Sequence, residues 1–268
     1  MLGNDRSSAT KRPPMSMMRK TALVAGVLYL LTFASSIPAA LLLGNTLADP
    51  NYITGAGADG QVRFAALFDI INGLTAFGTA VALYSVMKRQ HEGFAIGFVA
   101  SRLFEAAILF VGVLSVLSIA SLRETAAASA DPASLSAVGL AFTTLYEWAF
   151  ALGTGVCALN AFLLGWLMYR SRLVPRAIPV IGLIGAPLFT SFIIGYIFGI
   201  TDHGTAWHAI GVAPIFFWEL SLGLWMTFKG FRKDAPLMVE AAAKAATLDG
   251  PASVTRSSIG VASKAGAA

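Results

Sequence analysis

The chain has 268 residues, of which 56% are hydrophobic and only 12% charged, with a formal net charge of +5. That is about half the charged share of an ordinary soluble protein, too little polar material to cover a water-facing surface of this size. The basic residues form no single patch but fall at the ends of apolar segments, which argues against nucleic acid as a partner and for a lipid bilayer.

A hydrocarbon core about 30 Å thick is crossed by about 20 apolar helical residues. Six segments meet that requirement, so the expected fold is an all-α membrane bundle of six transmembrane helices. The first runs from Thr21 to Leu43 behind Arg19 and Lys20. It resembles a signal peptide, with Ala34-Ser-Ser36 and Ala39-Ala40 near its end, but it exceeds the roughly 7–15 apolar residues of such a peptide and reads as an uncleaved anchor. The second, Phe64 to Met87, carries a polar and small stripe of Asp69, Asn72, Gly73, Ala76 and Ala80 on one helical face, read first as a packing surface. The third, Phe94 to Ala120, holds Arg102 and Glu105. The fourth, Val138 to Met168, is long enough that it tilts or its first turns stand outside the bilayer. Glu147 lies in it, as does the lone cysteine, Cys157, read as a small core thiol. The fifth spans Ile178 to Ile200, and the sixth spans Trp207 to Phe228 with His208 and Glu219. Residues 1–18 and 231–268 read as disordered flanks of a domain at 19–230, apart from an alanine-rich stretch, Val239 to Thr247, able to form a short helix.

Orientation follows from the basic residues. One side holds Lys11, Arg12, Arg19, Lys20, Lys88, Arg89, Arg170, Arg172, Arg176, Lys229, Arg232 and Lys233, and the other only Arg63 and Arg123. The richer side is expected in the cytoplasm, with both termini there, in a bacterial cytoplasmic membrane.

Ionisable groups inside a bilayer need a partner, water or a neutral state. At 1.5 Å per residue, Arg102 lies about 12 Å, Glu105 about 16 Å, Glu147 about 13 Å and Glu219 about 18 Å from the nearer end of their segments, all in the middle third. Asp69, at about 8 Å, is shallower. Arg102 and Glu105 are three residues apart and share a helix face, so the expected arrangement is Arg102 buried and paired with Glu105 and with at least one of Glu147 and Glu219. Asp69, Asn72 and His208 are secondary candidates. Pro38, Pro187 and Pro214 each free a carbonyl, on Ala34, Leu183 and Ile210, that a ligand could use. Gly93/Gly97 and Gly195/Gly199 have the spacing of small-residue packing motifs. His203 and His208 are five apart, on different faces if helical, so no metal site is expected. No nucleophile elbow, phosphate-binding loop or dinucleotide fingerprint occurs, so no catalytic residue and no cofactor is assigned.

Three stretches carry a family resemblance: Arg19 to Leu31 in the first helix, Ser101-Arg-Leu-Phe-Glu-Ala106 in the third, and Leu164 to Arg176 at the end of the fourth. In these the chain resembles a bacterial family of multi-pass membrane proteins catalogued as domain of unknown function 4386, over residues 19 to 230. Members often have a histidine-containing stretch early in the fourth helix, where this chain reads Phe142-Thr-Thr-Leu-Tyr-Glu147. The resemblance implies about six helices and no known activity. The favoured reading is therefore a non-catalytic structural or regulatory protein with a buried Arg/Glu cluster. A small-solute or proton-coupled carrier using the mid-membrane carboxylates is the alternative, and an intramembrane enzyme ranks last. No protein partner or solute is named by the sequence.

Overall fold

A computed structural model describes residues 16–47, 52–54, 59–126 and 131–249. The tail expectations at 1–15 and 250–268 lie outside these residues. The elements are α1 (Met17–Leu47), α2 (Asp59–Met87), α3 (Glu92–Ala126), α4 (Pro132–Ser171), α5 (Ala177–Ile197), α6 (Ala206–Phe228) and α7 (Pro236–Asp249). Among the described residues, α1 to α6 are long and apolar enough to cross a membrane, and no strand occurs.

The helix ends follow local chemistry. Asp131 caps α4 by accepting from the Ser134 amide, with Pro132 in the first turn, where its missing N–H costs nothing. Thr205 caps α6 through the His208 amide. The His91 imidazole accepts from the Phe94 amide at the start of α3. Gly199, at φ +67°, ends α5 two residues past its last turn, and the Ile200 amide bonds back to the Gly195 carbonyl. The fifth segment thus stops short of Ile200, and Gly199 serves the turn and not helix packing.

Each helix packs on its neighbours in sequence, and α6 returns to α1, so the six form a closed ring. The α1–α6 seam is held in two ways. Gly26 and Gly223 let the backbones approach: a Cβ on Gly26 would lie 2.5 Å from the Thr227 nitrogen and 2.9 Å from the Gly223 carbonyl. Arg19 reaches across from α1 and donates to the carbonyls of Met226 (2.9 Å) and Thr227 (2.7 Å), satisfying the open end of α6. Small residues let membrane helices meet closely, but here the meeting pair comes from two helices, not from one Gly-x-x-x-Gly run. At the α5–α6 contact, Gly182 faces the ring of buried Trp218.

Buried side chains form two clusters. The larger extends from the basic end, around Tyr29, Met87, Phe98, Leu164, Trp218 and Met226, along α5 and α6 to Phe189, Phe192 and Ile215. It includes Phe231 and Ala235, and Leu237 and Met238 of α7 pack on it, so residues expected to belong to the tail close this end of the bundle. The smaller lies at the opposite ends of α1 to α4, around Leu43, Val62, Val116, Ile119 and Leu135, with Tyr52 and Ile53 of the α1–α2 connection. There Asp59 accepts from the Tyr52 hydroxyl (3.0 Å) and from Arg123 Nε (2.8 Å), and the Arg123 guanidinium stands 4.4 Å over the Tyr52 ring. Burial pushes the Tyr52 phenol well up, and the Asp59 carboxylate pushes it the same way. Outward-facing Leu31, Leu74, Val81, Phe104, Ile194 and Phe217 make the apolar belt a bilayer requires.

Candidate functional site

Against the larger core, the ring holds a cavity of about 330 Å³, lined by all six spanning helices and reaching His203 in the α5–α6 connection. Phe33, Phe150, Phe189, Phe192 and Phe216 make much of its wall, and Arg102, Glu105 and Glu219 form its charged part.

Arg102 is hydrogen-bonded to three side chains. Nη1 donates to Glu105 at 3.0 and 3.3 Å; Nη2 donates to the Tyr29 hydroxyl at 3.2 Å and to Glu219 Oε1. The guanidinium also lies 5.3 Å from the Tyr29 ring centroid and 5.8 Å from that of Phe98. Glu105 is held further by the Asn160 amide at 2.6 Å and the Cys157 thiol at 3.1 Å, and Asn160 in turn accepts from Ser101. The i, i+3 spacing places Arg102 and Glu105 on one face of α3, and the neighbouring helices bring the rest.

The three charged side chains differ in access: 2% exposed for Arg102, 6% for Glu105 and 14% for Glu219. Glu105 is fully engaged, whereas among the described residues Glu219 is hydrogen-bonded through one oxygen only. Arg102 Nε is buried with no acceptor among the described residues. A buried donor of that kind calls for a water or a ligand oxygen.

The pairing expected of Arg102 is present, with Glu219 as the second carboxylate. Glu147 is not in the cluster. It is exposed on α4 next to Trp148, whose ring lies 5.3 Å from that of Tyr196, one residue before the end of α5. Helix α4 has 40 residues, about 60 Å and twice the bilayer core, so a depth counted from Val138 overstates how far Glu147 is sunk. Glu147 stands near the last turn of α5, about 20 Å along the bundle from Glu219.

Of the secondary candidates, Asn72 and His208 line the cavity, while Asp69 is buried on α2 within electrostatic range of Tyr146. His203 and His208 have ring centroids 5.0 Å apart. They meet because His203 precedes α6, so helical spacing does not separate them. Among the described residues no group of three or more His, Cys, Asp or Glu is placed to hold a metal.

Tyr29, Asn160 and Ser101 are cluster residues that a search for charge does not find. A signal was available for two of them. Tyr29 and Ser101 lie in the resemblance-bearing stretches, Ser101 beside Arg102.

No curated protein and no solved structure matches the chain. A family model matches residues 24–230, which include all six spanning helices apart from the first turns of α1, and the cluster with them. The chain belongs to the family described as domain of unknown function DUF4386.

Proposed function

We propose that the protein binds a small solute in the central cavity and carries it across a bacterial cytoplasmic membrane, with both termini in the cytoplasm. The supporting observation is the cavity itself, placed at mid-bundle with Arg102, Glu105 and Glu219 on its wall. A clamp that served packing alone would be closed over by side chains, because interiors are packed to near-crystalline density. The structural reading favoured by the sequence accounts for Glu105, which is saturated. It does not account for a half-bonded Glu219 or an Arg102 Nε without an acceptor. At about 330 Å³ the cavity falls at the lower end of small-molecule sites. The bias of basic residues supports the orientation, and the His203 end of the cavity then faces outward.

Two measurements test this reading. A reporter active only in the cytoplasm should give signal when fused after Lys88, Arg172 or Lys233 and none after Asp59 or Ser129; signal at Asp59 refutes the orientation. Thr154 lines the cavity. Thr154→Cys in a Cys157→Ser background should be labelled in whole cells by a membrane-impermeant methanethiosulfonate, and solute or proton flux should appear in proteoliposomes. Absence of both labelling and flux refutes the carrier.

A further inference from the structure

We infer that the cavity takes a small organic cation, an ammonium group borne on an apolar body. The inference rests on the reading of the cavity as a ligand site and names its ligand class. Among the described residues, the Asp, Glu, Lys and Arg side chains lining the cavity are Arg102, Glu105 and Glu219, so two carboxylates face one guanidinium. Glu105 alone accounts for Arg102: it takes both Nη1 contacts and is completed by Asn160 and Cys157. The surplus negative group is Glu219. It is the most exposed of the three, and its Oε2 has no hydrogen-bond partner among the described residues.

A surplus carboxylate within an apolar belt needs a counter-charge; among the described residues no Lys or second Arg lines the cavity, and the lining histidines stand at its far end, His208 about 16 Å along α6 from Glu219 and accepting from the Gly204 amide. Much of the rest of the lining is phenyl, from Phe33 on α1, Phe150 on α4, Phe189 and Phe192 on α5, and Phe216, one turn from Glu219 on α6. Phenyl faces attract cations, and the attraction strengthens where water is excluded. The same wall is apolar and accepts a hydrocarbon body, whereas an anion would meet two carboxylates beside an Arg102 whose Nη1 and Nη2 they already engage, with Nε as the one guanidinium donor left over. Carboxylate at one end and aromatic faces around it form a recognition set for an alkyl or aryl ammonium.

The test uses the full chain in nanodiscs and three probes of similar size: benzyltrimethylammonium, uncharged benzyl alcohol and anionic 3-phenylpropionate, titrated calorimetrically. The cation should bind at least tenfold more tightly than either other probe, and Glu219→Gln should weaken it at least tenfold. The comparison of the three probes on the unaltered chain needs no variant and so does not depend on how Glu219→Gln folds. Equal binding of the alcohol or the anion, an unchanged cation affinity in a folded Glu219→Gln, or no binding by any probe overturns the inference. Labelling at Thr154→Cys separates the two levels. If that position is labelled and no cation binds, the ligand class is wrong and the open cavity stands; if it is not labelled, the cavity reading fails first.

Discussion

Arg102→Leu is expected to destabilise the folded bundle by about 3–5 kcal/mol, the range for breaking a buried ion pair from one side. The size follows from what is left behind. Glu105 loses both Nη1 contacts, Glu219 loses its one hydrogen bond, and the Tyr29 hydroxyl loses its donor. Each of these groups sits among apolar side chains, where an unpaired charge is far more costly than a hydrophobic replacement of the whole set. Arg102→Leu with Glu105→Leu should recover part of the loss. Recovery stays partial because Glu219 still lacks a partner and the Asn160 amide loses the Glu105 carboxylate it donates to. Adding Glu219→Gln should recover more. Melting of detergent-solubilised protein, followed by the monodisperse fraction on size exclusion, reads the series. If Arg102→Leu melts like the parent, the cluster does not hold the helices together.

The second large effect belongs to Gly26. Any side chain there meets the backbone nitrogen of Thr227 at 2.5 Å and the Gly223 carbonyl at 2.9 Å, and backbone cannot rotate aside. Gly26→Val must therefore push α1 and α6 apart. Overpacking of this kind costs about 1–3 kcal/mol and often more when backbone has to move. The displacement reaches the site, because a Cβ on Gly223 would stand 3.0 Å from the Tyr29 Cβ, and Tyr29 is the hydroxyl bound to Arg102. Gly26→Val is expected to lower the melting temperature and to remove ligand binding together. Gly44→Val is the control on the same helix, since a Cβ there meets nothing within 4 Å, and it should leave both unchanged. Equal melting of the two variants would contradict the close crossing.

The helices were legible because hydrophobic length and the placement of charge are one-dimensional properties. Arg102 and Glu105 were legible because a three-residue spacing fixes a common face, and Glu219 because an acidic group deep in an apolar segment must find a counter-charge inside the bundle. Glu147 misled because depth was counted along α4 as if the bilayer contained all of it, whereas 40 residues cannot fit. Gly93/Gly97 and Gly195/Gly199 divide: Gly97 meets Leu163 of α4, whereas Gly195 and Gly199 belong to the turn that ends α5. Spacing within one helix says nothing about which other helix arrives, and the close approach joins Gly26 to Gly223 across the length of the chain. The cavity was not legible at all. Its lining comes from all six spanning helices and the α5–α6 connection, which no local pattern brings together.

The ring also has an order of assembly written into it. Packing between α1 and α2, α2 and α3, and so on to α5 and α6 joins elements made one after another, so most of the bundle can zip up locally as the chain emerges. The exception is the return of α6 to α1. Arg19, near the start of the described chain, finds its carbonyl acceptors more than two hundred residues later, at Met226 and Thr227. Until that last helix is in place, Tyr29 and Arg102 lack Glu219, the two faces that meet at Gly26 and Gly223 are turned to lipid, and the chamber has no sixth wall. The site is therefore completed late in folding, and a nascent chain stalled after α5 carries the Arg102–Glu105 pair without the Glu219 carboxylate or the wall that α6 supplies.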